Sequence, residues 1–324
     1  MALPDGGWIL TGNTTAGSNN TRPFLARFST DGIVLWQRSI NTPAAVNIFT
    51  TAIRTQDGNL LVGGAINASN ALSYAAYLAK ITLNGTVLWS NIYDGGNTDW
   101  INGLLELPNG DIIASGFTLS FGQNSSSIHD GMVMRLTSTG ALQWVNAYGS
   151  VDNEGFSSVF LTLDGSLMAM GGTSGWNGPG GGQTFDDSWM VKLSQNGALL
   201  WSRVFRTDFG LDLASRGVCQ SADGGFVIAA NDLGNNGTNF NSFFFKTGPD
   251  GDLEWSRMYA PGGDNKLTSV QVAPEGYLFT GYTDPAGNDQ VWFLRTNEAG
   301  LAGACPEISH QVSTFPAQPV VTPG

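Results

Sequence analysis

Acidic and amide side chains recur at one position of a sequence repeat, each shortly before an apolar segment. Carboxylate and amide oxygens are the ligands that Ca²⁺ prefers, and they also hydrogen-bond sugars, so a ring of them could hold either ligand. The favoured alternative is turn chemistry, because Asp and Asn side chains often bond their own backbone in loops. The set consists of Asn47, Asp99, Asn153, Glu154, Asp212, Asp264 and Asn265.

Residues for acid–base or nucleophilic catalysis are sparse in this chain. The pair His129-Asp130 could form an oriented general base, but no nucleophile motif accompanies it, and a surface loop pair is the favoured interpretation. A hydrolase or lyase would have to use Asp99, Glu154 or Asp212. We therefore predict no catalytic residues and no cofactor. Ca²⁺ remains open, although no Asp-x-Asp-x-Asp-Gly calcium loop occurs.

The two cysteines, Cys219 and Cys305, do not form a metal-ligand pattern. Two buried free thiols are the favoured interpretation, with a disulfide as the alternative.

Aromatic residues among Gly and Asn could stack on sugar rings or anchor a protein partner. Trp100 lies beside one of the predicted long loops, and Trp176 lies within Gly175–Gly180 of another. Trp176 is the better candidate for a ligand or partner contact. Trp189 is predicted to begin a strand and to belong to the core.

A tryptophan that closes a strand–turn–strand phrase organises the chain. Ile81-Thr82-Leu83-Asn84-Gly85-Thr86-Val87-Leu88-Trp89 is the clearest copy, and its tryptophan recurs every 53 to 57 residues. A fixed period near this length indicates a repeat array such as a propeller. A large ring at a constant place is predicted to pack between neighbouring repeats. The five tryptophans are Trp36, Trp89, Trp144, Trp201 and Trp255.

A second turn with Asp-Gly or a similar pair precedes each Trp hairpin, as in Asp57-Gly58 and Asn109-Gly110. Such pairs between apolar runs favour type I′ hairpins. Each repeat then holds four strands, called A to D from the inside outward. The prediction is an all-β, six-bladed propeller of four-stranded antiparallel blades over residues 1–309. The blades span approximately 1–40, 48–93, 100–148, 155–205, 214–259 and 267–305.

The chain begins within the first repeat, so the first blade is predicted to lack most of strand A. Either the tail, within Glu307–Phe315, supplies that strand and the chain termini close the ring, or a strand and a signal peptide precede Met1. Residues 310–324 are predicted to be a proline-containing tail, extended or linker-like from Pro316 onward. The long connections between strands B and C share one face, where we expect any binding site.

Composition limits the class of partner. The net charge of −12 excludes general nucleic-acid binding, which depends on Lys and Arg at phosphates. No apolar run reaches the roughly 18 residues of a transmembrane helix, although association with a membrane complex stays open.

The repeat resembles the bacterial SBBP-type and delta-sixty-type propeller repeats. The similarity rests on Tyr77-Leu78-Ala79-Lys80-Ile81, the Trp hairpin, Tyr93-Asp94-Gly95-Gly96 and Pro108–Gly116. The Trp-bearing half is also similar to quinoprotein-type repeats. The resemblance implies a secreted or surface-exposed bacterial scaffold or binding module without shared catalytic residues. The sixth repeat departs from the pattern, since Ala304 stands where the tryptophan would be.

The predicted function is a non-catalytic, extracytoplasmic module that binds a protein or glycan through its long-loop face. The first alternative is a structural accessory subunit of an envelope or membrane-associated complex. The second is a hydrolase or lyase with its site at the channel mouth.

Overall fold

The computed structural model describes residues 1–15, 21–39, 47–67, 73–123, 128–174, 187–207, 214–233, 240–259, 263–284, 290–303 and 312–324. Within these ranges every regular element is a β-strand, and the strands form six antiparallel sheets. The all-β prediction is therefore confirmed for this part of the chain. None of the described residues forms a helix long and apolar enough to cross a membrane. The chain divides into two compact units, the first made of Met1–Val151, Ser158–Phe160 and Val320–Gly324, and the second of Asp152–Ser157 and Leu161–Pro319.

The first unit holds three sheets. The first sheet contains β1 (Trp8–Thr15), β2 (Thr21–Phe28) and β3 (Val34–Ser39). The second contains β4 (Asn47–Arg54), β5 (Leu60–Asn67), β6 (Tyr74–Ile81) and β7 (Val87–Tyr93). The third contains β8 (Asp99–Glu106), β9 (Ile112–Thr118), β10 (Asp130–Leu136) and β11 (Leu142–Gly149), with a fifth strand described below.

The fourth to sixth sheets repeat the pattern. The fourth contains β12 (Glu154–Leu161), β13 (Leu167–Thr173), β14 (Asp187–Leu193) and β15 (Leu199–Thr207), again with a fifth strand. The fifth contains β16 (Ala214–Gln220), β17 (Phe226–Leu233), β18 (Phe240–Thr247) and β19 (Leu253–Tyr259). The sixth contains β20 (Asp264–Ala273), β21 (Gly276–Asp284) and β22 (Gln290–Asn297).

As predicted, the first sheet lacks the inner strand that opens the other five in the described part of the chain. The predicted outer strand of the sixth sheet falls mainly on residues that the structure does not describe.

Residues 312–315, the described part of the segment that could supply the inner strand of the first sheet, pair elsewhere, and the tail from Pro316 onward is extended, as predicted. Val312–Pro316 forms β23, which pairs with β15, and Val320–Pro323 forms β24, which pairs with β11. The tail thus adds fifth strands to the fourth and third sheets instead of an inner strand to the first. The β-branched residues of these two segments favour pairing, and their prolines lie at strand ends and edges, where no ladder donor is needed.

The turn type also differs from the prediction. In the first turn of the second sheet, the Gly58 N–H donates to the Thr55 carbonyl and the Thr55 N–H donates to the Asn59 carbonyl. Only the glycine has a positive φ, of 84°. This is a type I turn followed by a left-handed glycine, whereas a type I′ turn would need positive φ at two residues.

Packed apolar residues join consecutive sheets within each unit. In the first unit one cluster contains Ile9 and Leu25 of the first sheet with Leu60 and Val62 of the second. In the second unit a cluster joins Phe244 of the fifth sheet to residues of the sixth. These repeats bury their apolar faces against a neighbour, as repeat proteins require.

Candidate functional site

Asp99, at the start of β8, is fully engaged inside its own sheet. One carboxylate oxygen accepts from the Thr118 hydroxyl at 2.5 Å. The other accepts from the Ser120 hydroxyl at 2.8 Å and from the Gly95 N–H at 2.9 Å. Burial raises the pKa of Asp99, and the hydrogen bonds from Thr118, Ser120 and Gly95 oppose this increase. The side chain thus fastens the connection before β8 to the end of β9.

The same arrangement occurs in the second unit. The Thr173 hydroxyl donates to Glu154 at 3.0 Å, and the Thr283 hydroxyl donates to Asn265 at 2.6 Å. Asp99, Glu154 and Asn265 are all buried. In each case a residue at the beginning of an inner strand accepts a hydrogen bond from a threonine near the end of the next strand. The shared partner of these three side chains is thus a threonine hydroxyl of the neighbouring strand, which differs from the backbone contact that the turn-chemistry interpretation names.

The other residues of the predicted ring have different surroundings. The backbone of Asn153 exchanges hydrogen bonds with Ser174, and Asn153 is exposed. Asp264 accepts from the Phe240 N–H at 2.8 Å, and Asn47 begins β4. Asp212 and Trp176 lie outside the described residues. Among the described residues, no three His, Cys, Asp or Glu side chains form a group that could hold a metal ion.

A cavity of about 410 Å³ lies beside Asp99 in the first unit. Met132, Met134 and Val145 give it apolar walls, and Asp94, Asp99 and Gly324 contribute polar or backbone atoms. This is the size range of small-molecule pockets. The Asp99 carboxylate in its wall already accepts three hydrogen bonds, so it is a stabilising group of the wall.

Trp100 and His129 share one aromatic cluster. Trp100 is half-buried and stacks on Phe117, with ring centroids 6.0 Å apart and an interplanar angle of 13°. The His129 ring meets the edge of Phe117 at 5.0 Å. Asp130 accepts from the Gln123 N–H at 2.8 Å. Trp189 lies in β14 with no exposed surface, as predicted.

The repeated tryptophans lie on the outer strands, and four of the five are seen to reach the second turn of the next repeat. The Trp36 indole N–H donates to the Leu83 carbonyl at 3.0 Å. The rings of Trp89, Trp201 and Trp255 cover the turn glycines Gly140, Gly251 and Gly300, where an added Cβ would lie 2.7–2.9 Å from ring atoms. The contacts of these four tryptophans are those of a ring that packs between repeats. Trp144 pairs within the third sheet with Arg135.

Sequence reasoning missed a set of ion pairs between the first turn and the third strand of a repeat. Lys192 reaches the Asp164 carboxylate at 2.6 Å, and Asp164 also accepts from Thr162 and the Ser166 N–H. The sequence contains a signal for these pairs, because a basic residue follows an apolar one at a similar distance after each of these Asp or Asn-Gly turns. The other pairs are Arg27–Asp5, Lys80–Asp57, Arg135–Asp111 and Lys246–Asp223.

Cys219 is a free thiol in β16, and burial raises its pKa to about 11. A thiol with a raised pKa is a weak nucleophile at neutral pH. Cys305 lies outside the described residues.

Exposed apolar side chains occur on the outermost strands of the first two sheets, and also on β1, β11, β15, β20 and β22. Val34 and Leu35 on β3, and Val87, Leu88 and Ile92 on β7, each expose between 43% and 55% of their surface. In the third and fourth sheets β24 and β23 cover only the second half of the corresponding outer strand, at Asn146–Gly149 and Arg203–Thr207, and Leu142 and Leu200 in the first half are exposed. The first two sheets therefore present apolar edges that nothing covers among the described residues.

No protein-family model and no curated protein sequence matches the chain. Its structure is similar to the WD40 domain of Neurospora crassa Pan2, at 10% identity over 90% of this chain and 91% of that chain, with a TM-score of 0.42. Sqt1 from Chaetomium thermophilum is similar at 12% identity over 93% and 83% of the two chains, with a TM-score of 0.46. A putative exo-β-1,3-galactanase from Bifidobacterium bifidum is similar at 16% identity over 83% and 91%, with a TM-score of 0.40.

Proposed function

We propose that the protein is a non-catalytic module that binds another protein, and that its six sheets are the blades of one β-propeller closed into a ring. The observation that carries the binding role is the uncovered apolar surface on the outer strands of the first two sheets, represented by Leu35 and Ile92. Apolar surface of this kind on a soluble protein commonly marks an interaction site.

The candidate catalytic groups support a binding role. Glu154 is buried and accepts a hydrogen bond from Thr173, and Asp99 accepts from three donors. A general acid or base must exchange a proton with the substrate across a hydrogen bond. The carboxylate oxygens of Asp99 and Glu154 instead accept hydrogen bonds from residues near the ends of strands. A protein partner therefore agrees better with the described residues than a hydrolase or lyase reaction.

The cellular location follows from the resemblance of the repeat to secreted and surface-anchored bacterial families. We propose that the module works outside the cytoplasm. A low content of charged residues, 12%, with abundant Gly, Asn, Ser and Thr is in keeping with that proposal.

The test is isolation of the protein from its native source under non-denaturing conditions, followed by mass spectrometry of what co-purifies. We expect a stoichiometric partner protein that is lost when Leu35 and Ile92 are both replaced by Lys. The matched control replaces Val272, an exposed residue of β20, with Lys.

A monomer without a partner would contradict the proposal. A glycan array with and without Ca²⁺ would then test the glycan alternative. Co-purification with a complete envelope complex would identify the module as an accessory subunit of that complex.

A further inference from the structure

Strand β7 is a close copy of β11. Both strands carry the pattern Trp-x-Asn-x-Tyr, Trp89–Tyr93 in β7 and Trp144–Tyr148 in β11. In β7 the Asn91 side-chain amide lies 3.4 Å from the hydroxyl of the tyrosine two residues later, and in β11 the corresponding distance for Asn146 is 3.3 Å. Neither strand contains a charged residue, whereas the outer strands β3, β15 and β19 all contain arginine.

The two edges differ in what covers them. β11 accepts β24 in antiparallel pairing, with Tyr148 opposite Val321 and Ala147 opposite Thr322. The Gly324 N–H extends this pairing by donating to the Val145 carbonyl at 3.0 Å. β7 is the last strand in its sheet, so its outer backbone groups meet no further strand among the described residues.

The exposure of side chains follows this difference. Ala147, three residues after the tryptophan of β11, is fully buried, whereas Ile92 at the same position of β7 is 53% exposed. An uncharged, apolar edge strand without a cover is prone to pair with another chain, and natural proteins usually protect it with charges, prolines or a covering segment. β7 has no charge and no proline, and its β-bulge lies between Val87 and Trp89 in the first half of the strand. The second half, from Ser90 to Tyr93, is therefore left with a covering segment as its protection.

We propose that the outer edge of β7 binds an extended segment of a partner protein by strand addition, a known mode of peptide recognition. This inference rests on the proposed function and names the class of partner. The bound segment is antiparallel to β7 and resembles Val320–Pro323, which is uncharged, rich in β-branched residues and ends in proline on its own edge.

If the partner segment pairs with β7 in the register that β24 has on β11, one position of its sequence should differ from that of the tail. Val320 lies opposite Gly149, and the residue at that position after β7 is Asp94, which is exposed. A basic residue at the place of Val320 would pair with this carboxylate. The two following positions face Tyr93 and Ile92, which suit β-branched side chains in cross-strand pairs.

The partner is a different protein rather than a second copy of this chain. The tail already pairs with β11 and β15 of its own chain. A tethered strand has an effective concentration on the order of millimolar, so it stays on its own sheets in preference to the β7 edge of another molecule.

The test uses the full chain and a fluorescent peptide with the sequence of residues 315–324 carrying V320K. Fluorescence anisotropy is expected to show binding that weakens about fivefold in I92K, because one cross-strand pair is lost. The control V272K, at an exposed position of β20, is expected to bind like the unchanged protein. D94K is expected to reverse the preference, so that a V320E peptide binds it more tightly than the V320K peptide.

Hydrogen exchange identifies the edge that is used. Added V320K peptide should protect the amides of residues 90–94 and leave those of residues 145–149 unchanged. No binding at about 1 mM peptide, an unreversed preference in D94K, or loss of protection in β11 would each overturn the proposal. A native partner that co-purifies while the peptide fails to bind would leave the proposed function intact and remove this site only.

Discussion

The carboxylate of the first turn joins two elements of its repeat through its two oxygens. In Asp164, Oδ1 accepts from the Thr162 hydroxyl at 2.5 Å and from the Ser166 N–H at 3.0 Å, while Oδ2 meets Lys192 at 2.6 Å. The turn is thereby held in its shape and tied to the third strand of the sheet. A charge-assisted hydrogen bond of this kind is stronger than a neutral one. Its contribution to stability is reduced because the Asp164 side chain is about half exposed and water screens the charges.

Replacing Asp164 with Ala should lower the free energy of unfolding by about 1–2 kcal/mol, because the turn and Lys192 lose their common acceptor. Asp250 is the matched control, since it is an exposed aspartate in the second turn of the fifth sheet. D250A should change the free energy by less than about 0.5 kcal/mol. Urea denaturation of both variants measures the difference, and equal losses would contradict the anchoring role.

The same carboxylates predict a loss of stability in acid. Hydrogen bonds from Lys192 and Thr162 hold the pKa of Asp164 well below its usual range. Burial opposes ionisation of Asp223, but hydrogen bonds from Lys246 and Ser221 outweigh it and bring the pKa of this carboxyl to about 2. Unfolded aspartates titrate near pH 4. A carboxyl group whose pKa is lower in the folded state than in the unfolded state stabilises the fold above the unfolded pKa. This stabilisation is lost as the pH falls from about 4 toward 2.

We expect the free energy of unfolding to decrease between about pH 4 and pH 2, and D164N to decrease less steeply because it cannot titrate there. Denaturation series at several pH values test this. A slope in D164N equal to that of the unchanged protein would show that Asp164 contributes nothing to the acid response.

The presence of Asp, Glu and Asn at a repeat position does not show whether the side chain binds a ligand or holds its own loop in place. Asp99 and Glu154 belong to the predicted ligand set, and in the structure their carboxylate oxygens accept hydrogen bonds from Thr118 and Thr173. The threonine partners follow by 19 residues in both cases. That constant spacing is a signal in the sequence, but it identifies the structural role only once the strand register is known.

At the scale of the element, each outer-strand tryptophan that covers a turn depends on a glycine of the next repeat. Gly251 and Gly32 both have positive φ, 79° and 77°. An added Cβ at Gly251 would lie 2.9 Å from the Trp201 ring, whereas at Gly32 it would meet nothing within 4 Å. Substitution of either glycine by alanine would strain the backbone, but only the substitution at Gly251 would also disturb the packing of Trp201. Comparing the two substitutions therefore separates the cost of backbone strain from the cost of lost packing.

G32A should cost about 1–2 kcal/mol through left-handed backbone strain alone. G251A should cost about 1–3 kcal/mol more, because the methyl group displaces Trp201. Thermal unfolding and tryptophan fluorescence of the two variants give the comparison. Equal destabilisation would mean that Trp201 adjusts freely to the methyl group.

The tail strands supply a further prediction at this scale. Removal of residues 320–324 uncovers the edge of β11, so the backbone amides of residues 146–149 should exchange faster with solvent. Peptides from β7 should be unaffected and serve as the internal control. Hydrogen exchange with mass spectrometry measures both, and unchanged exchange in β11 would show that β24 adds no protection.

The elements of the repeat were predictable because their signals are local. The Gly-containing turns and the Trp-bearing strands recur with a period, and the strands occur where that period indicates. The pairing of β23 and β24 was not predictable, because Val320 pairs with Gly149 far away in sequence. Three prolines in residues 316–324 also indicated a linker. Long-range edge pairing leaves no periodic trace in a sequence.

At the scale of the whole molecule, charge sets the behaviour in solution. The formal net charge is −12 and the pI is near 4.4. Proteins associate most readily when their net charge approaches zero, and the uncovered apolar edges of β3 and β7 add a place for contact.

Solubility should therefore be lowest near pH 4.4, as light scattering at fixed protein concentration would measure. I92K should reduce the scattering at its maximum, and an unchanged maximum would exclude the β7 edge from the self-association.

β23 and β24 follow the strands they pair with by more than 100 residues, and this order has a consequence for synthesis. The third and fourth sheets receive their last strands only after residues 312–323 have left the ribosome, when the four other strands of each sheet have long been available. Until then β11 and β15 have open edges in the nascent chain, and open edges are the sites at which unfinished β proteins associate wrongly. Slow elongation would lengthen this interval, so the rate of translation bears on the yield of correctly folded protein.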